Sequence, residues 1–97
     1  MNNKKYGFTE DNVDKSPDEP GVYVLYDGHE IIYIGQSEDS IRSRLQSHLR
    51  GDEGHCTQRA THYMREENSD PVSREQELIR DFKRRNGRLP RCNEVEV

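Results

Sequence analysis

Gly21-Val22-Tyr23-Val24-Leu25-Tyr26-Asp27-Gly28-His29-Glu30-Ile31-Ile32-Tyr33-Ile34-Gly35 decides the fold. Two short runs of β-branched and aromatic residues flank a turn that contains Asp-Gly, the strongest short-range hairpin signal. Each run carries a tyrosine near a glycine, in Gly21-Val22-Tyr23 and in Tyr33-Ile34-Gly35. Side chains alternate faces along a strand, so turn length decides which face each tyrosine takes. A two-residue loop, Asp27-Gly28, opposes Tyr23 to Ile32. A three-residue loop, Asp27-Gly28-His29, opposes Tyr23 to Tyr33 and brings both phenols to one face. The second register is the one expected, on grounds that later residues supply. Taken singly, either tyrosine is no more than a good strand former.

The chain of 97 residues has room for one domain with one modest core. With 29% hydrophobic and 35% charged residues, the apolar positions must be concentrated in a few elements. The net charge of −4 gives no general attraction to nucleic acid, so any such binding has to come from a local patch. Cys56 and Cys92 lack Cys-x-x-Cys spacing, and no signal peptide precedes them. Free thiols in a reducing cytoplasm are expected. No transmembrane run is present, and the expected location is cytoplasmic.

Residues 1–19 are polar and aperiodic and read as a mobile or loosely packed lead-in, with Pro20 setting the approach to the first strand. After Gly35 a polar loop leads into a helix capped by Asp39 or Ser40 and closed by Gly51. Ile41, Leu45 and Leu49 fall four apart on one apolar stripe. Arg44 and His48 share the same spacing one position to the side, and on their own they read as a solvated flank. Residues 60–67 are open to helix or strand; strand is preferred, with Thr61, Tyr63 and Arg65 on one face and Ala60, His62 and Met64 on the other. His55, Cys56 and His62 lack a second spaced pair of ligands, so no structural zinc is expected.

A second helix starts at Asp70-Pro71 and ends before Gly87. Val72, Leu78, Ile79 and Phe82 make its expected buried stripe. Glu75 falls on that stripe, and a carboxylate there needs a cation, a proton or a hydrogen-bond donor. Here the functional reading outweighs the plain one, although pairing with an arginine would also serve. Lys83, Arg84, Arg85 and Arg88 crowd the helix end, where cations favour the dipole. With Arg42 and Arg50 they are the candidate phosphate contacts. Residues 94–97 form an acidic tail.

Together these pieces resemble the GIY-YIG nuclease family. Gly21-Val22-Tyr23 precedes Tyr33-Ile34-Gly35 by the family's interval, and Ile41-Arg42-Ser43-Arg44-Leu45 places Arg44 at its catalytic arginine. His48 stands where members carry histidine or tyrosine. Glu75 matches the metal-binding glutamate, and Pro90-Arg91-Cys92-Asn93 matches the closing Pro-x-x-Asn. The likeness spans residues 20–93 and is nearest to the excision-repair, UvrC-like branch and small stand-alone relatives. Gln36 departs from the lysine frequent in that branch, and the loop before Arg44 is one residue longer.

The resemblance implies an α/β fold, a small mainly antiparallel three-stranded sheet flanked by helices. It implies a divalent-metal-dependent endonuclease that hydrolyses DNA phosphodiester bonds, with one Mg²⁺ or Mn²⁺ held by Glu75. Tyr23 is its candidate general base, and Arg44 is its donor to the phosphate. Tyr33 and His48 orient the water or share the proton, and Gly35 and Asn93 support the site. Members usually append a DNA-binding domain, so a separate DNA-targeting protein or a homodimer is the expected partner. The alternative is a non-cleaving nucleic-acid-binding or protein-interaction module on the same fold. The intact Tyr23, Tyr33, Arg44, Glu75 and Asn93 argue against it.

Overall fold

The computed structural model describes residues 4–94. Eight elements follow in order: β1 (Tyr6–Gly7), α1 (Glu10–Asp14), β2 (Gly21–Asp27), β3 (Glu30–Ser37), α2 (Ile41–Arg50), a 3₁₀ turn (Cys56–Arg59), β4 (His62–Glu67) and α3 (Pro71–Asn86). The fold is α/β, and its antiparallel sheet has four strands rather than the expected three, in the order β1-β4-β2-β3. The additional strand comes from the lead-in, where Tyr6 pairs with Tyr63 and Gly7 with His62. Only two residues long, β1 offers no alternation to read. Its place is set by Tyr6 and Phe8, whose rings pack on Tyr63.

Residues 1–3 of the lead-in lie outside the described residues, and the remainder carries one further element. Thr9 caps α1 by accepting from the Asn12 amide, and Val13 is buried against the sheet. The carbonyls of Pro17 and Glu19 accept the amides of Arg42 and Ile41, so this segment seats the first turn of α2. Of the acidic tail, Glu94 is exposed and 95–97 lie outside the described residues.

The hairpin forms, in a register different from the expected one. Asp27 pairs with Glu30 around a two-residue turn, Gly28-His29, in which Gly28 takes a left-handed φ of 63°. A bulge then shifts the ladder between Leu25 and Tyr26, so Leu25 faces Tyr33 and Tyr23 faces Gly35. Turn and bulge together displace the expected pairing by two residues. An even displacement preserves the faces, so Tyr23 and Tyr33 still share one side, as diagonal neighbours instead of a directly opposed pair.

Helices cover both faces of the sheet. On the first, Val13 of α1 and Ile41 and Leu45 of α2 pack on Tyr23, Leu25 and Tyr63. On the second, Leu78, Ile79 and Phe82 of α3 pack on Val24, Tyr26, Ile34 and Met64. Ser40 caps α2 and Asp70 caps α3, and Gly51 and Gly87 close them in the left-handed conformation. The stripe of α3 runs one position off the expectation. Pro71 is buried while Val72 is 37% exposed, because Pro71, Glu75, Leu78 and Phe82 hold the helical repeat.

The expected free thiols are absent. Cys56 and Cys92 are joined in a disulfide whose Cα atoms lie 5.6 Å apart across 36 residues of sequence. Sequence spacing carries no sign of this pairing, because the tertiary fold brings the closing segment beside the 3₁₀ turn. Among the described residues no helix is long and apolar enough to cross a membrane.

Candidate active site

The site is assembled where β2, β3, α2 and α3 come together, and its centre is Tyr23. The ring of Tyr23 is fully buried under α2. A phenol in such a place needs a partner for its hydroxyl. His48 supplies one, with Nε2 2.9 Å from the Tyr23 oxygen. The other ring nitrogen, Nδ1, is 2.8 Å from Oγ1 of Thr57 in the 3₁₀ turn. His48 is therefore no solvated flank: it is 1% exposed. The helical spacing placed it beside Arg44 correctly, but one position from the stripe is still inside where the 3₁₀ turn closes over α2.

Tyr33 completes an aromatic cluster, its ring centroid 6.2 Å from that of Tyr23 and 4.9 Å from that of His48. Gly35 makes this arrangement possible. A Cβ there would stand 2.5 Å from the Tyr23 ring and 2.7 Å from that of Tyr33, so both rings occupy the space a side chain would take.

Arg44 reaches the same place one helical turn before His48. Its terminal nitrogen pairs with Glu53 at 3.3 Å, while its Nε is buried with no hydrogen-bond partner among the described residues. Glu75 approaches from α3. It is half-buried and makes no hydrogen bond or ion pair with the described residues, yet it lies within the field of Arg44.

These neighbours set the protonation states. Burial pushes the Tyr23 phenol far above its ordinary value, Tyr33 adds to the rise, and Arg44 opposes it. Burial likewise raises Tyr33, against the pull of Arg44. His48 is lowered to about 4, first by burial and then by the Arg44 charge, so it is neutral at pH 7. Burial raises the Glu75 carboxyl and Arg44 counteracts it.

The residues fit a divalent cation held through one carboxylate. A half-buried carboxylate without a protein partner offers the hard oxygen that magnesium prefers, with water and substrate oxygens filling the remaining positions. No cluster of three or more His, Cys, Asp or Glu occurs among the described residues, so nothing competes as a multi-ligand site.

The support around the cluster is equally specific. Asn93 lies against β3, its Nδ2 donating to the Ile34 carbonyl and its Oδ1 accepting the Ile34 amide, both at 2.9 Å. The basic candidates do not form one surface. Nε of Arg42 donates to the Ser16 carbonyl at 2.9 Å, and Arg50 pairs with Asp52 at 3.0 Å. Arg84 and Arg85 both pair with Asp81, Arg88 rests over Phe82, and Lys83 is exposed. Lys83 lies two helical turns beyond Glu75, about 12 Å along α3.

Sequence reasoning missed Thr57 and Glu53. Both come from the loop after α2, which has no periodicity, and each acts on a residue nine positions back. It also missed the pairing of Arg74 with Glu66 at 2.8 Å, which fastens the first turns of α3, and hence Glu75, to β4.

The two-tyrosine hairpin, the arginine-bearing helix and the glutamate-bearing helix all lie within one segment that matches a known family. The GIY-YIG catalytic domain matches residues 19–88, and the chain belongs to that family. Among its relatives is the UvrABC system protein C of Aquifex aeolicus (strain VF5), 36% identical over 56 residues. That match covers 58% of this chain and only 10% of the longer protein. In three dimensions the chain is similar to the GIY-YIG N-terminal endonuclease domain of UvrC from Thermotoga maritima bound to its catalytic cation, magnesium. The TM-score is 0.65 at 23% identity, covering 88% of this chain and 99% of that one. A point mutant of the same domain, also bound to its catalytic divalent cation, matches with a TM-score of 0.64 at 21% identity, covering 91% and 100%. Such low identity makes the last two comparisons a likeness of fold.

Proposed function

We propose that this protein is a metal-dependent endonuclease that hydrolyses DNA phosphodiester bonds. The observation that carries the reading is the convergence of Arg44, with an unpartnered buried Nε, and Glu75, with an unpartnered carboxylate, on the Tyr23–His48 pair. An unpartnered buried donor is costly to maintain unless a ligand uses it.

In this reading Arg44 turns its planar fork from Glu53 to the scissile phosphate and meets the charge that grows there. Tyr23 takes the proton of the attacking water, with His48 beside it to relieve the phenol of its own. Tyr33 packs on both and excludes bulk solvent. Glu75 would hold the cation; when bound, magnesium or manganese supplies positive charge at the departing 3′-oxygen. Asn93 and Gly35 keep β3 and the two tyrosines in place. Lys83, Arg84, Arg85 and Arg88 lie at the far end of α3 and are proposed as separate phosphate contacts, with Asp81 as the competitor that phosphates must displace at Arg84 and Arg85. Arg42 and Arg50 are already engaged and contribute less.

DNA is the proposed substrate. A repair role is proposed from the likeness to UvrC, and a separate targeting protein or a homodimer is proposed because the acidic net charge calls for a partner that adds basic surface. The test is cleavage of labelled plasmid, linear duplex, single strand, flap and four-way junction with Mg²⁺, with Mn²⁺ and with chelator, for wild type beside Glu75→Ala. Metal-dependent cutting lost in the variant supports the reading. Binding without cutting by either protein moves the non-cleaving module ahead, and equal activity in both removes Glu75 from the site.

A further inference from the structure

We infer that Thr57 is a positioning residue that holds His48 in the Nδ1–H tautomer, leaving Nε2 as the acceptor for the Tyr23 proton. The reasoning starts at the phenol. Tyr23 has one proton to place; its oxygen is bonded to His48 Nε2, at 2.9 Å, and feels the charge of Arg44. Arginine carries only donors. Nε2 is therefore the acceptor and bears no hydrogen. A neutral imidazole has one N–H, so it must be on Nδ1, and Nδ1 is 2.8 Å from Thr57 Oγ1. Thr57 then accepts from Nδ1–H, the part a carboxylate plays towards the histidine of a hydrolytic triad.

Nothing else there can do this. Thr57 is 2% exposed, and His48 Nδ1 has no second partner among the described residues. Thr57 is itself held from both sides in sequence. Cys56 is tied to Cys92, and the Thr57 carbonyl accepts the Ala60 amide at 3.2 Å. A hydroxyl suits this task better than a carboxylate would. It fixes the ring and its tautomer without adding a negative charge, so that His48 is neutral, and able to accept a proton, before the reaction.

The inference rests on the nuclease reading for its purpose, and the proton balance follows from it. An O–H bond of the attacking water breaks and its proton forms a new O–H on Tyr23. The former phenolic proton bonds to His48 Nε2. The hydroxide's electron pair forms a new P–O bond, and the P–O3′ bond breaks with its pair remaining on the departing 3′-oxygen.

The experiment is heteronuclear NMR of the histidine-labelled, disulfide-intact full chain, with the His48 signal assigned by its loss in His48→Gln. Cleavage rates are measured on the same samples. Wild type should show a protonated Nδ1 and an unprotonated Nε2. Thr57→Val, similar in shape but without the hydroxyl, should move the proton towards Nε2 and lower kcat by about 100-fold. Thr57→Ser should keep the wild-type tautomer and stay within about threefold of the wild-type rate. An Nε2–H tautomer in wild type, or an unchanged tautomer in Thr57→Val, overturns the assignment. If Thr57→Val does not fold, wild type and Thr57→Ser decide, and a difference in tautomer between them also overturns it. A wild type that cuts no DNA sinks the nuclease reading, and the role of Thr57 is then decided by whether Thr57→Val shifts the tautomer.

Discussion

The two faces of the sheet are built on opposite terms. On the α3 face, Val24, Ile34, Met64 and Phe82 meet through carbon and sulfur, and Tyr26 turns its hydroxyl to the Met64 sulfur at 2.8 Å. On the α1–α2 face the largest buried side chains are Tyr23 and Tyr63, and His48 is buried with them. Each of their polar atoms has to be matched. Tyr63 donates to the Asn12 carbonyl at 2.9 Å and bonds Ser16 at 2.8 Å, Tyr23 is matched by His48, and His48 in turn by Thr57. One face holds the molecule together by burying area, while the other keeps a polar apparatus dry and positioned. A small domain with few apolar residues can carry a desolvated site because the opposite face needs so little polar matching.

Five experiments would break or sharpen that contrast. Glu75→Gln should lower cleavage by about 1,000-fold, roughly 4 kcal/mol of transition-state stabilisation, with thermal stability unchanged. Kinetics beside a melting curve would check this, and a large loss of stability would make Glu75 structural. Replacing both cysteines by serine should cost about 4 kcal/mol in denaturant unfolding, the chain-entropy figure for the 36-residue separation. Phe82→Ala, on the apolar face, should cost about 3 kcal/mol and leave the cleavage rate per folded molecule as it was. A changed rate would show that the two faces are coupled.

The titration addresses His48. Its folded value of about 4 lies below the ordinary 6.5, so the unfolded chain binds the proton first. The resulting stability is complete above pH 6.5 and is lost as pH falls through that window towards 4. The difference amounts to roughly 2–3 kcal/mol. Urea unfolding from pH 7 to 4 should show this slope in wild type and a weaker one in His48→Phe. The smallest effect belongs to Asn93→Ala, about 1–2 kcal/mol, for the loss of two hydrogen bonds to Ile34.

What could be read from the sequence was what local chemistry encodes. Ser40 and Gly51, and Asp70, Pro71 and Gly87, mark their helices through capping that each residue performs alone. The face shared by Tyr23 and Tyr33 was legible through parity, although the register was not, because the bulge at Leu25 and Tyr26 has no sequence mark. Strand β1 and helix α1 were too short to show a period. Thr57, Glu53 and the Cys56–Cys92 bond escaped for a different reason. Each acts across a loop whose path is decided by packing.

The Asn93 side chain has one more consequence. Strand β3 is an outer strand of the sheet, and the Ile34 amide and carbonyl face away from β2. The Asn93 carboxamide offers them the donor and acceptor that another strand would, and the Cys92 amide does the same for the Ile32 carbonyl at 2.9 Å. The closing segment is thus a molecular stopper against self-association. A chain cut before Pro90 would expose the Ile32–Ile34 edge as a template for strand addition, and its first symptom would be aggregation.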